Sequence, residues 1–192
     1  WCGYYTPGLN ISQDGSPSGY KILNVQGNRI SSRFKAVGRP DDEVFRSYDR
    51  NEIEITADRY APDAKKSSAT KLANVAGKYA EKDNGNYVLI NIWDWSDDWK
   101  ISVTENGIPL EVTRIRDFDP LYIIAYTAKR CNANGSLTFA PCKTGHLFQV
   151  KASSPSGTIT IKVTDSQGNV HKETMARPKP FTLENYVQTA GR

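Results

Sequence analysis

Proton transfer and metal binding near neutral pH draw first on histidine, and this 192-residue chain holds two, His146 and His171. His171 follows the turn Ser166-Gln167-Gly168-Asn169 on an alternating segment, the setting of a surface imidazole. His146 begins the apolar stretch His146-Leu147-Phe148 after Gly145, the setting of a structural histidine whose nitrogens are satisfied. A two-metal hydrolytic centre needs several histidines and carboxylates at one point, and two histidines cannot supply it. No Gly-x-x-x-x-Gly-Lys-Ser/Thr phosphate cradle, Gly-x-Ser-x-Gly elbow or His-Glu-x-x-His pair occurs. Asp165-Ser166-Gln167-Gly168-Asn169 alternates oxygen-bearing residues as a calcium loop does, but lacks the closing bidentate Glu and reads as a β-turn. These observations predict a chain with no catalytic centre, no metal and no cofactor of its own.

The densest unusual run is Trp93-Asp94-Trp95-Ser96-Asp97-Asp98-Trp99. If the preceding strand continues, Trp93 and Trp95 project to one face. Exposed, Trp93, Trp95 and Trp99 would form a stacking platform for a glycan, with Asp94 and Asp97 accepting from sugar hydroxyls. Buried, the rings would close the end of a sandwich, and the carboxylates would cap the loop. Paired carboxylates also serve glycoside hydrolysis, but adjacent Asp97 and Asp98 point to opposite sides of an extended chain. Cys131 and Cys142 are separated by ten residues that include Asn132, Asn134, Gly135 and Pro141. They suit a disulfide-closed loop in an oxidising compartment or two free thiols, and Cys2 is left over.

These residues must be carried by strands. Tyr20 to Val25, the turn Gln26-Gly27-Asn28 and Arg29 to Val37 read as a hairpin, since Gly-Asn supplies the positive φ that a tight turn requires. Ile53 and Ile55 alternate with polar residues in a candidate strand over 51–59. Tyr87 to Trp93 is apolar and rich in β-branched residues, which suits a central strand. Trp99 to Thr104 and Leu110 to Ile115 flank Asn106-Gly107, a strong hairpin signal. The apolar run Leu121 to Tyr126, the stretch His146 to Ala152, and the pair Thr158 to Val163 and Val170 to Met175 complete the set. Short strands with frequent turns predict an all-β antiparallel β-sandwich of the immunoglobulin or fibronectin kind over 1–176. Leu72, Val75, Ala76 and Tyr79 recur at helical spacing, so 65–82 is either a helical or an irregular insertion. Residues 177–192 read as an extended C-terminal tail, with Phe181 to Val187 free to dock on the body or on another domain.

The bulk numbers narrow the partners. A net charge of +4 comes from 25 Lys and Arg interspersed with 21 Asp and Glu. Lys65-Lys66 is too short for a nucleic-acid footprint. No apolar run approaches the roughly 20 residues of a membrane helix. The sequence opens on Trp1 with no leader, as the middle of a longer polypeptide would. Trp1, Tyr4, Tyr5, Asp14, Tyr20 and His146 are candidate contacts with a neighbouring domain or ligand. The alternative is that Trp1, Tyr4 and Tyr5 tuck into the domain's own core.

The order of several motifs adds a further reading: Asp14-Gly15-Ser16-Pro17-Ser18-Gly19-Tyr20, then Phe34-Lys35-Ala36-Val37-Gly38-Arg39-Pro40, then Asn91-Ile92-Trp93-Asp94-Trp95 and the Trp99 strand start. Asp119-Pro120-Leu121-Tyr122, the His146-Leu147-Phe148 strand, and Gly157-Thr158 leading to Val163-Thr164-Asp165 follow. Over roughly residues 1–175 this resembles the C-terminal domain of bacterial, Bacteroides-type, calcineurin-like metallophosphoesterases. The resemblance implies a secreted parent, periplasmic or extracellular, with an immunoglobulin-like N-terminal domain, a catalytic core holding two divalent metal ions, and this accessory piece. The partner it implies is the catalytic phosphoesterase domain of the same polypeptide. The core's Gly-Asn-His-Asp/Glu motif has no counterpart here: Gly27-Asn28-Arg29, Gly85-Asn86-Tyr87 and Gly168-Asn169-Val170 all lack the histidine.

Overall fold

A computed structural model describes residues 4–6 and 9–186. Eight strands form two antiparallel sheets. β5 (Phe45–Asp49), β6 (Tyr87–Ile92), β10 (Thr144–Lys151) and β9 (Val112–Asp117) make one, in the order β5-β6-β10-β9. β12 (Val170–Met175), β11 (Ile159–Thr164), β7 (Lys100–Glu105) and β8 (Ile108–Leu110) make the other, in the order β12-β11-β7-β8. Taken in chain order, these strands occupy positions A, B, C, C′, D, E, F and G of an immunoglobulin-like Greek key, with sheets A-B-E-D and G-F-C-C′. The expected sandwich is the observed one.

Side-chain alternation divides the first sheet between two cores. Residues opposite one another on antiparallel strands share a face. Phe45, Val88, Ile90, Ile92, Phe148 and Val150 face the second sheet and meet Val103, Ile159, Ile161, Val163 and Met175. Tyr48, Leu89 and Leu147 face the other way, toward a second core. That outer face is covered by the two long connections of the sheet. Between β5 and β6 run α1 (Ala57–Tyr60) and α2 (Lys66–Ala76). Between β9 and β10 a helical stretch spans 120–132: α3 (Pro120–Tyr122), a π-helical segment (Ile123–Ala128) and α4 (Lys129–Asn132). Burial of each Leu or Ile here contributes about 1.5–3 kcal/mol.

The 65–82 insertion resolves to a helix. Its buried residues Ser68, Leu72 and Ala76 fall every fourth position, and Gly77 at φ 52° ends it. Its first turn is fixed from outside, because the amide of Lys65 donates to Asn134 Oδ1 at 2.7 Å and that of Asp63 to Asn132 Oδ1 at 2.8 Å. Two expected strands are not strands. Over 51–59, Ile53 and Ile55 are fully buried, but the backbone forms a 3-10 turn at Arg50–Glu52 and then α1. The strand in this region is β5, immediately before. Leu121 to Tyr126 is helical, because Asp119 accepts from the amides of Leu121 and Tyr122 and Pro120 presets the first helical φ.

Residues 177–186 of the expected tail are woven into the body, and 187–192 lie outside the described residues. Arg177 makes a buried ion pair with Asp49 at 2.9 Å, and Phe181 and Tyr186 pack on Tyr48. Cys131 is a buried thiol on α4 and Cys142 an exposed one beyond it, and both are free. The disulfide reading gives way to the two-thiol reading: helical packing turns Cys131 into the second core while the loop carries Cys142 to the surface.

β1 (Tyr4–Thr6) pairs with β2 (Leu9–Ile11), so Tyr4 and Tyr5 lie on a short hairpin whose second strand buries Leu9 and Ile11 in the second core. Trp1 and Cys2 lie outside the described residues. β3 (Gly19–Gln26) and β4 (Arg29–Ala36) form a separate two-stranded hairpin turning at Gly27.

Candidate functional site

The loop joining β2 to β3 is folded by its own hydrogen bonds. The Ser12 amide donates to the Ser16 carbonyl at 2.7 Å, the Gly15 amide to the Ser12 carbonyl at 2.8 Å, and the Ser16 amide to Asp14 Oδ1 at 2.9 Å. Gly15 sits at φ 82°, and a Cβ there would stand 2.1 Å from Asp119 Cγ. Only glycine lets this loop lie against that carboxylate.

Below the loop lies a polar network on the outer face of the first sheet. Asn91 interrupts the apolar run of β6 on the face it shares with Leu89. Its Nδ2 donates to the Asp14 carbonyl at 2.9 Å and to Asp119 Oδ2 at 2.6 Å, and its Oδ1 meets His146 Nδ1 at 2.8 Å. The two acceptors fix the amide orientation, so His146 Nδ1 donates to Asn91 Oδ1. The other ring nitrogen, Nε2, lies 3.4 Å from Asp14 Oδ2. Burial pushes the Asp14 carboxyl up, but the His146 hydrogen bond, the Ser16 amide and the charge of His146 hold it down at about 2. His146 reaches this position from a register irregularity of β10 between Thr144 and Leu147.

Asp119 is fully buried and joins three separate pieces of chain. It caps the 120–132 helix, accepts from Tyr48 Oη at 2.7 Å and accepts from Asn91. Desolvation raises its pKa; the charge of Arg46 and the hydrogen bonds of Asn91 and Tyr48 oppose that rise. Arg46 donates from Nη1 to the Gly15 carbonyl at 2.9 Å and lies over the Trp93 ring, 5.1 Å from its centroid. Arg39 lies over the same ring at 5.6 Å. Such cation–π contacts are worth roughly 0.5–2 kcal/mol each.

Above the network opens a groove of about 650 Å³, lined in part by Ser12, Asp14, Tyr20, Lys21, Phe34, Trp93 and Asp94. Lys21 and Asp94 pair at 2.7 Å on its rim. Of the residues singled out from sequence, Asp14, Tyr20 and His146 meet in this region. Trp93 and Asp94 join them, although the sequence set these two in a glycan platform.

The platform itself does not assemble. β6 ends at Ile92, and Asp94 adopts φ 59°, so alternation stops before Trp95. Trp93 stays on the outer face and is 1% exposed. Trp95 turns instead onto Phe148 at 4.6 Å and lies edge-on to Trp99 at 6.2 Å. Trp99 Nε1 donates to Ser166, and Asp97 pairs with Arg114 at 2.9 Å. Asp165 closes a plain turn by accepting from the amides of Gln167 and Asn169. Among the described residues no group of three or more His, Cys, Asp and Glu side chains converges on a point.

Sequence reasoning missed Asn91, Asp119, Arg46 and Tyr48. Two signals pointed to them: a polar residue inside the most apolar strand, and the Asp-Pro pair that starts a helix. Chemically, the site is an imidazole–carboxylate pair held at the foot of a groove by amides and a buried acid.

No curated protein and no solved structure matches the chain. A family profile described as the C terminal of calcineurin-like phosphoesterase matches residues 1–171, nearly the whole length, and the chain belongs to that family.

Proposed function

We propose that this chain is a non-catalytic accessory domain that docks on the phosphoesterase core of its own polypeptide and shapes the approach to it. The observation that carries the reading is where the molecule leaves apolar surface uncovered. Tyr20, Leu23, Val25, Ile30 and Val37 are 55–71% exposed and lie on or beside the β3–β4 hairpin. Leu23, Val25, Ile30 and Phe34 share one face of that hairpin, and Lys21 and Phe34 carry the face into the groove above His146. Two strands alone are marginal in water, and exposed apolar stripes mark interaction sites. At the groove, the buried Trp93 Nε1 has no acceptor among the described residues.

The test is hydrogen exchange on the full-length polypeptide and on chain 1–192. Residues 12–36 are expected to gain protection in the full-length protein, and Leu23→Asp with Ile30→Asp to abolish that gain without unfolding chain 1–192. Equal protection in both proteins refutes the docking surface. Metal-dependent hydrolysis of an aryl phosphate by chain 1–192, abolished by His146→Ala, refutes the non-catalytic assignment.

A further inference from the structure

The β3–β4 hairpin closes on a two-residue turn, Gly27-Asn28, with Gly27 at φ 60°. Such a turn makes its flanking residues, Gln26 and Arg29, a pair that exchanges both backbone hydrogen bonds, and every second pair beyond it does the same. Asn24 with Ser31, Ile22 with Arg33 and Tyr20 with Lys35 are therefore bonded inside the hairpin. The backbone groups of Lys21, Leu23 and Val25 point outward from β3, and those of Ile30, Ser32 and Phe34 outward from β4. Two contacts agree with this alternation: the Val37 amide donates inward to the Ser18 carbonyl at 2.9 Å, and the outward Ser32 carbonyl accepts from Gln167 Nε2 at 3.1 Å.

The two edges of the hairpin differ. The β4 edge is turned to the sandwich: Gln167 ties it there, beside a cavity of about 420 Å³ lined in part by Ser32, Phe34, Trp99 and His171. Along the β3 edge, Lys21, Leu23 and Val25 make no backbone hydrogen bond outside the hairpin among the described residues. Leu23 and Val25 are 63% and 62% exposed. Open edges are ordinarily blunted by charge, proline, a bulge or shortness. Edge strands of the sandwich follow that rule. β8 is three residues long with Pro109 at its centre, β9 carries Arg114, Arg116 and Asp117, and β12 carries Lys172 and Glu173. β3 runs for eight residues in unbroken register with β4, and Ile22 to Gln26 holds no charge and no proline.

We infer that this open edge takes an extended segment of the phosphoesterase core as a third strand, paired main chain to main chain. The inference rests on the docking reading above and names how the hairpin engages its partner. Strand addition completes a two-stranded ribbon that is marginal alone, and the alternate side chains Leu23 and Val25 supply the apolar contacts. Two arguments disfavour a second copy of this chain as the occupant. Residues 19–36 hold Lys21, Arg29, Arg33 and Lys35 and no carboxylate. Asp94 answers Lys21 and Asp41 answers Arg33 and Lys35, but Arg29 has no ion pair among the described residues. Two such hairpins edge to edge would set like charges side by side. A core on the same polypeptide also meets the hairpin at a far higher effective concentration than a second molecule does.

The experiment is hydrogen exchange resolved to single amides, on the full-length polypeptide and on chain 1–192. In the full-length protein the amides of Lys21, Leu23 and Val25 are expected to slow by about tenfold or more. Those of Ile30 and Phe34, outward on the other edge, should slow less. Val25→Pro removes an outward N–H that the hairpin does not use, and should return Lys21 and Leu23 to their rates in chain 1–192. Val25→Ala keeps the amide and should keep most of the protection. The Ile22 and Asn24 amides, bonded within the hairpin, report whether the proline leaves it intact; if it does not, the unsubstituted proteins decide alone. Lys21, Leu23 and Val25 slowing no more than Ile30 and Phe34, or staying slow in an intact Val25→Pro hairpin, overturns strand addition and leaves docking through the apolar face standing. No gain anywhere in residues 12–36 overturns docking itself. Protection of these three amides in chain 1–192 that grows with protein concentration assigns the edge to a second copy and overturns the core as its occupant.

Discussion

Replacing Asp119 should reveal how far the network under the groove holds the molecule together. Asp119→Ala removes the N-cap of the 120–132 helix, worth about 1 kcal/mol. It also leaves the buried hydroxyl of Tyr48 and one N–H of Asn91 without an acceptor, at about 1–3 kcal/mol each. Arg46, whose nearest buried counter-charge is this carboxylate, loses it as well. These effects overlap, so the expected total is about 3–5 kcal/mol. For a chain of this length that corresponds to a fall in Tm of roughly 6–20 °C. Asp119→Asn separates the contributions. The amide oxygen can still cap Leu121 and Tyr122, and the Tyr48 hydroxyl can rotate to accept. Only the Asn91 donor then faces another donor, so the loss should be about 1–3 kcal/mol. Urea unfolding followed by tryptophan fluorescence reads both variants, since Trp93 is buried beside the network. Losses below about 1 kcal/mol in the Ala variant, or equal losses in both variants, would refute the view that this one acid joins the loop, the sheet and the helix.

Two further predictions concern the same loop. Gly15→Ala combines a strained φ with a Cβ 2.1 Å from Asp119, and should cost roughly 2–4 kcal/mol; the cost should shrink in an Asp119→Ala background, and simple additivity in that double-mutant cycle contradicts the contact. The Asp14 carboxyl is depressed in the folded state from 3.8 to about 2. Its contribution is therefore complete above 3.8 and lost as pH falls toward 2. Discounted for a side chain one-third open to water, it amounts to about 1 kcal/mol. Asp14→Asn should flatten the acid limb of the stability curve in that window, and parallel curves for the two proteins would exclude the His146 pairing as its source.

The features legible in the sequence were those set by short-range chemistry. The turns at Gly27, Gly107 and Gly168 all adopt positive φ, as their Asn-Gly, Gly-Asn and neighbouring residues required. β7, β10, β11 and β12 carry an apolar face that the sequence showed, and β6 was legible as a central strand because its apolar run is buried on both faces. β5 was hidden because it is buried on both faces and yet reads Phe-Arg-Ser-Tyr-Asp. Its polar members are matched by partners distant in sequence, such as Arg177 for Asp49 and Glu173 for Ser47. The run Leu121 to Tyr126 is apolar on every side, so periodicity cannot separate helix from strand there; the Asp119-Pro120 start could have. Asp14, Tyr20 and His146 were named from sequence within a set of candidate contacts that also held Trp1, Tyr4 and Tyr5, whereas the Asn91 and Asp119 side chains beside Asp14 and His146 were not named, since those contacts exist only once the sheet is in register.

The first sheet has apolar packing on both sides, while the β3–β4 hairpin has neither core behind it. Amides in β6 and β10 can therefore reach solvent only when the whole molecule opens, whereas those of the hairpin are released by a local event. Stiffness is concentrated in the middle of the domain and compliance in the arm that carries most of its uncovered apolar residues. A partner can reshape that arm to fit its own contour, and the sandwich need not deform to accommodate it.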